Sequence, residues 1–249
     1  MILGHRVEGA GHPVTFLHGF TQTGSSWMPV VSRLDGIAAT MIDAPGHGAS
    51  PDGTRTLWQC ADDIARTVSP GALVGYSMGA RMALHTALAH PALVTALVLV
   101  SGTAGIEDDN ERAGRRASDD VLADRIEMIG VPAFIDEWLA NPMFAGLTAE
   151  TAMRTERLSN TARGLADSLR HAGTGTQDNL WPRLAELRMP VLIVAGADDA
   201  KFTAIAERMN GLISGSSLSV IPAAGHTVHL EATDSFVGVL QEWLVTNTR

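Results

Sequence analysis

The chain has 249 residues, 45% of them hydrophobic, with a net charge of −9 and a single cysteine, Cys60. That size and composition suit a globular protein with one sizeable core, and the acidic balance argues against nucleic acid as a partner, because a nucleic-acid binder usually carries a basic face. A lone cysteine excludes an internal disulfide and fits the cytoplasm. No run approaches the roughly 18 apolar residues of a membrane span, and the opening residues do not read as a signal peptide.

Seventeen of the eighteen basic residues are arginine, and nine of those lie between Arg112 and Arg183. GC-rich coding explains such a bias, and so does a need to bind carboxylates in bidentate fashion; composition does not separate the two. Nothing in the sequence sets an oligomeric state.

Short apolar runs recur at residues 14–17 (VTFL), 38–42 (AATMI), 72–74 (ALV), 96–100 (ALVLV), 191–194 (VLIV) and 218–221 (LSVI). Continuous runs of this kind suit strands covered on both faces, as in a parallel sheet. Helical spacing at 61–68 and 78–89 implies βαβ units, hence an α/β fold with a mostly parallel sheet and helices on both faces. The alternation stops after Val100. Residues 103–179 are charged and helical in character, and strand-like sequence resumes near Met189. The expected organisation is a core of residues 1–103 and 180–249, with a helical cap at 104–179.

The chemistry-bearing motifs sit at strand ends. The first is Leu17-His18-Gly19-Phe20, where the Phe20 amide can donate to an oxyanion because Gly19 lets the chain turn. The compact stretch from Asp43 to Ser50 reads as structural, with His47 placed to approach the same edge. Gly75-Tyr76-Ser77-Met78-Gly79 then fits G-x-S-x-G, the nucleophile elbow, with the strand before and the helix after that it requires. Glycines two residues either side of Ser77 relieve collisions at a strained turn, and the Met78 amide points toward a developing oxyanion.

A serine becomes reactive when a histidine takes its proton and a carboxylate orients that histidine, in the chain order Ser, acid, His on this kind of sheet. Both partners follow in order. Asp198 and Asp199 compete for the acid role, and G-x-x-D spacing from Gly196 favours Asp199. His226 ends the next strand; His229, one turn further on, reads as lining the pocket or starting a helix. His85 and His90 read as packing or surface residues. No metal-ligand cluster or phosphate-binding glycine loop appears, so no cofactor and no metal are expected.

These motifs resemble the α/β-hydrolase family across almost the whole chain. Further stretches are similar to one branch of it, the 2-succinyl-6-hydroxy-2,4-cyclohexadiene-1-carboxylate synthases of menaquinone biosynthesis: GYSMGAR at 75–81, Arg115 with Asp119, FIDEWLANPMF at 134–144, RLSN at 157–160, GADDAKF at 196–202 and GHTVHLE at 225–231. Ala80 departs from the second glycine that many relatives carry there. The resemblance implies a lyase that eliminates pyruvate from a small-molecule polycarboxylate, with Ser77 as base, His226 receiving its proton and Asp199 holding His226. It implies substrate binding by Arg81, Arg115 and Arg157, a pocket shaped by Tyr76 and Trp138, and oxyanion donors at Phe20 and Met78. Arg116 and Arg154 are neighbours that a shift of register would substitute for the two cap arginines. The rival readings are a serine hydrolase on the same scaffold, either a carboxylesterase or a C–C bond hydrolase, and an inert hydrolase-fold receptor.

Overall fold

The computed structural model describes residues 1–248. Seven strands form one sheet in the order β1-β3-β2-β4-β5-β6-β7: β1 (His5–Gly9), β2 (His12–Leu17), β3 (Ile37–Ile42), β4 (Gly71–Tyr76), β5 (Val94–Val100), β6 (Val191–Gly196) and β7 (Ser217–Ile221). Among the described residues, only β1 runs antiparallel, against β3; the other neighbours are parallel. The central strands β4, β5 and β6 are almost wholly buried, which is why they read as continuous apolar runs rather than alternating ones. The edge strand β1 is mostly exposed and has no such run, so hydropathy does not announce it.

Helices cover both faces. On one, α2 (Leu57–Thr67), α3 (Met78–Ala89) and α7 (Ala200–Leu212) pack against a core that includes Cys60, Ile64, Met82, Leu97 and Ile193. On the other, the short α1 (Met28–Val31) and the long α9 (Thr233–Asn247) bury Trp27, Val30, Phe236 and Leu240 against Phe16, Val74 and Val98. Helix α2 begins with a capping box in which Thr56 and Gln59 satisfy each other's backbone amides.

Between β5 and β6 lies an insertion without strands, containing α4 (Asp109–Leu139), α5 (Arg154–Arg157) and α6 (Ala162–Ala172). Helix α4 consists of two helical pieces that meet at Gly130, whose φ of 77° and ψ of 164° break the helix just before Pro132. Ala123, Ile126, Phe134 and Ile135 of α4 bury against Leu165, Ala166 and Leu169 of α6, giving the insertion a small core of its own that also touches Phe20. Trp138, at the end of α4, packs edge-on to Phe20 at 5.3 Å. The remaining short helix, α8 (Val228–Glu231), follows β7.

Candidate active site

Ser77 follows β4 and caps α3 with φ 52° and ψ −107°, a left-handed backbone unusual for a residue with a side chain. The turn is held by the Ser77 amide donating to Val100 O at 2.9 Å. Its glycines are explained by contacts. A Cβ on Gly75 would lie 2.3 Å from Gly79 O, and one on Gly79 would lie 2.2 Å from Leu17 O. Glycine at 79 therefore lets the start of α3 press against the end of β2. That approach brings the Met78 amide and the 17–20 loop to one cavity.

Three strand ends supply the partners. The Ser77 Oγ lies 3.1 Å from His226 Nε2, and His226 Nδ1 lies 2.8 Å from Asp199 Oδ2. With a proton on Nδ1 donated to Asp199, Nε2 is free to accept from the serine hydroxyl. Asp199 also caps α7, its Oδ1 accepting from the Phe202 amide at 3.2 Å. Burial opposes ionisation of Asp199, but the hydrogen bonds from His226 and Phe202 and the positive charge nearby outweigh it and hold the carboxyl below its usual range. Asp198 is exposed and takes no part in this line.

The amides of Phe20 and Met78 donate to no other group among the described residues, and both residues border the cavity. The reason for glycine at 19 differs from the sequence reading. The chain turns at Thr21, where φ is 68°, whereas a Cβ on Gly19 would lie 2.5 Å from the Tyr76 ring. Tyr76 is itself fixed by a 3.0 Å hydrogen bond between its hydroxyl and Thr227 Oγ1, and burial pushes its phenol up.

The cavity measures about 610 Å³ and lies between the carboxyl edge of the sheet and the insertion. Arg81, Arg115 and Arg157 all line it, as do Tyr76 and Trp138; Arg116 and Arg154 do not. Arg81 is buried and donates to Ala172 O at 2.6 Å. Arg157 is buried and donates to Ala152 O at 2.8 Å and to the Thr21 hydroxyl. Burial pushes each of these guanidiniums down to about 10, so both remain cationic at neutral pH. Arg115 pairs with buried Asp119 at 2.7 Å, one helical turn along α4. Arg154 instead makes a surface pair with Asp136. The arrangement offers a serine–histidine base, two free amide donors and the three predicted arginines on one cavity, whose lining also includes Lys201, Arg208 and the acidic Glu107, Asp108, Glu111 and Asp119.

Residues 16–239 match the family model described as the alpha/beta hydrolase family. The chain belongs to that family. A Bacillus subtilis (strain 168) relative, provisionally named 2-succinyl-6-hydroxy-2,4-cyclohexadiene-1-carboxylate synthase, is 37% identical over 95% of this chain and 92% of its own length. A Serratia proteamaculans (strain 568) protein with that synthase name is 31% identical, with 92% of each chain covered. The solved structure of MenH from S. aureus matches with a TM-score of 0.92 at 32% identity, over 98% of each chain.

Within this hydrolase fold, several supporting residues escape sequence reasoning. Ser101, at the end of β5, donates its hydroxyl to His226 O at 2.8 Å. Glu231 accepts from the amides of Gly225 at 2.7 Å and Thr227 at 2.8 Å, clamping the loop on both sides of His226. Gln22 borders the cavity beside Phe20. Only Glu231 had a sequence cue, its closeness to His226. Two further histidines lie inside the protein, away from the cavity lining. His229 starts α8 but stacks on Trp27 at 4.3 Å inside the core and does not line the cavity. His47 is buried 6.0 Å from the Phe20 ring, also outside the cavity lining.

Proposed function

We propose that this hydrolase-family enzyme is a 2-succinyl-6-hydroxy-2,4-cyclohexadiene-1-carboxylate synthase, eliminating pyruvate from 2-succinyl-5-enolpyruvyl-6-hydroxy-3-cyclohexene-1-carboxylate. The observation that carries this reading is that Arg81, Arg115 and Arg157 line the cavity that holds Ser77. A hydrolase acting on a neutral ester has no use for three cations around its nucleophile, whereas a substrate with three carboxylates does. The relatives named for this synthase, each matched over nearly its full length, support the same reading.

In this mechanism the Ser77 oxygen removes a proton from a ring carbon while its own proton passes to His226 Nε2, and Asp199 stabilises the imidazolium formed. The electron pair left on carbon forms a new ring double bond, the existing ring double bond shifts by one position, and the bond from the ring to the enolpyruvyl oxygen breaks; the departing enolate takes up a proton on its methylene carbon to give pyruvate. No acyl-enzyme is required. Negative charge that develops on the substrate is met by the amides of Phe20 and Met78. Local field at the cleft, rather than the chain's net charge of −9, attracts the polyanion.

The insertion, residues 104–179, acts as a cap over this cavity, and Tyr76 and Trp138 shape its walls. We assign the reaction to the cytoplasm, a reading supported by a lone cysteine with no disulfide partner. The test is pyruvate release from the enolpyruvyl substrate by the wild type and by Ser77→Ala. The proposal requires fast release by the former and none above background by the latter.

A further inference from the structure

We infer that Gln22 is a specificity-determining residue whose side-chain amide donates to the substrate carboxylate held by Arg157. The inference rests on the polycarboxylate reading above. The Gln22 side chain is almost fully buried, at 2% exposure, and borders the cavity with Phe20, Tyr76 and Arg157. Its oxygen is committed: Gly19 N–H donates to Oε1 at 3.0 Å, while the Gln22 amide donates back to Gly19 O at 3.1 Å. Because Gly19 presents a donor, the side-chain oxygen must face it, and this fixes which way the amide points. Nε2 is then left buried without a partner among the described residues. A buried donor of this kind is seldom left unsatisfied, and beside a ligand cavity its natural partner is an oxygen of the ligand.

The backbone explains why Gln22 and Arg157 act on one carboxylate. Thr21 is held at φ 68°, a costly conformation for a β-branched residue. Its hydroxyl accepts from Arg157, and its carbonyl oxygen accepts from Asn160 Nδ2 at 2.7 Å. Consecutive residues thus split their tasks. Thr21 anchors the arginine, while Gln22 braces the loop that carries the Phe20 amide and keeps its Nε2 unpartnered on a residue that lines the same cavity as Arg157.

Gln22→Glu separates bracing from recognition, because a carboxylate oxygen still accepts from Gly19 N–H while the donor is replaced by a like charge. At pH 8 the wild type and this variant would be compared in three assays: KM for pyruvate release, calorimetric Kd for the dicarboxylate 2-succinylbenzoate, and kcat/KM for p-nitrophenyl acetate. The inference predicts at least a tenfold rise in KM and in Kd with the neutral ester unaffected. Gln22→Met, which loses brace and donor, should raise KM and Kd and also lower kcat/KM on the neutral ester. Unchanged dicarboxylate binding in Gln22→Glu, no binding by the wild type, or parallel losses on the neutral ester would each overturn it. The binding arm needs no turnover, so it reads Gln22 even if pyruvate release fails and the proposed reaction is wrong.

Discussion

Arg81 donates from its guanidinium to the carbonyl oxygen of Ala172 at 2.6 Å, tying α3, one turn beyond Ser77, to the end of α6 in the insertion. Its remaining donors meet the cavity. Lysine at 81 would keep the charge but lose the planar fork, and methionine would lose both. For pyruvate release, kcat/KM should fall about 10- to 100-fold in Arg81→Lys and about 1,000-fold in Arg81→Met. Hydrolysis of p-nitrophenyl acetate should change by less than about threefold, as expected for a residue that binds charge rather than performs chemistry. Equal losses on both substrates would reduce Arg81 to a packing role.

Asp198 and Asp199 are adjacent, yet only Asp199 reaches His226, at 2.8 Å. Asp199→Asn should lower kcat for pyruvate release by roughly 10³- to 10⁴-fold, because the amide no longer fixes the imidazole tautomer. Asp198→Asn should stay within about twofold of wild type, as surface changes usually do. Steady-state kinetics on the two variants decides between them, and comparable defects would mean that the acid is misassigned.

Glu231 acts on His226 only through the backbone, accepting from the amides on either side of it. Replacing it with Gln leaves one acceptor and turns the other oxygen into a donor facing an N–H group. The expected result is a fall in kcat of about 10- to 100-fold with KM within about twofold, the pattern of a displaced base rather than a damaged binding site. A rise in KM without loss of kcat would contradict this role.

Four histidines are held neutral by burial: His18 and His85 are pushed down to about 4, and His47 and His229 to about 3. In the unfolded chain they titrate near the ordinary value of about 6.5. Unfolding therefore takes up protons below that pH, so stability is full above about 6.5 and falls as pH drops toward the folded values. Each group costs on the order of 2 kcal/mol at pH 5, against a typical total of about 5–15 kcal/mol. Asp199, held below its usual range, adds to the loss only in more acid solution, through the carboxylate range. Urea midpoints should drop steeply between pH 6.5 and pH 4.5. A flat profile over that interval would mean that these histidines are not buried as described.

The elbow and its partners were legible because each lies within a few residues of an apolar strand, and the strands fix their order along one sheet edge. The choice between Arg115 and Arg116 was not legible locally, since adjacent helical positions differ only in which way they face; the ion pair to Asp119 one turn away sets it. Strand β1 escaped because an exposed edge strand needs no apolar run. Gln22 escaped for a different reason. Its placement depends on the left-handed backbone at Thr21, imposed by partners more than a hundred residues away, Arg157 and Asn160.

The central claim is that Ser77 removes a proton in an elimination rather than attacking an ester. The most direct measurement is pyruvate release from 2-succinyl-5-enolpyruvyl-6-hydroxy-3-cyclohexene-1-carboxylate, set beside p-nitrophenyl acetate hydrolysis by the same preparation, for wild type and Ser77→Ala. The account predicts rapid pyruvate release that Ser77→Ala abolishes, together with feeble esterase activity. Vigorous ester hydrolysis with no pyruvate would contradict it and make Ser77 an acyl-transfer nucleophile.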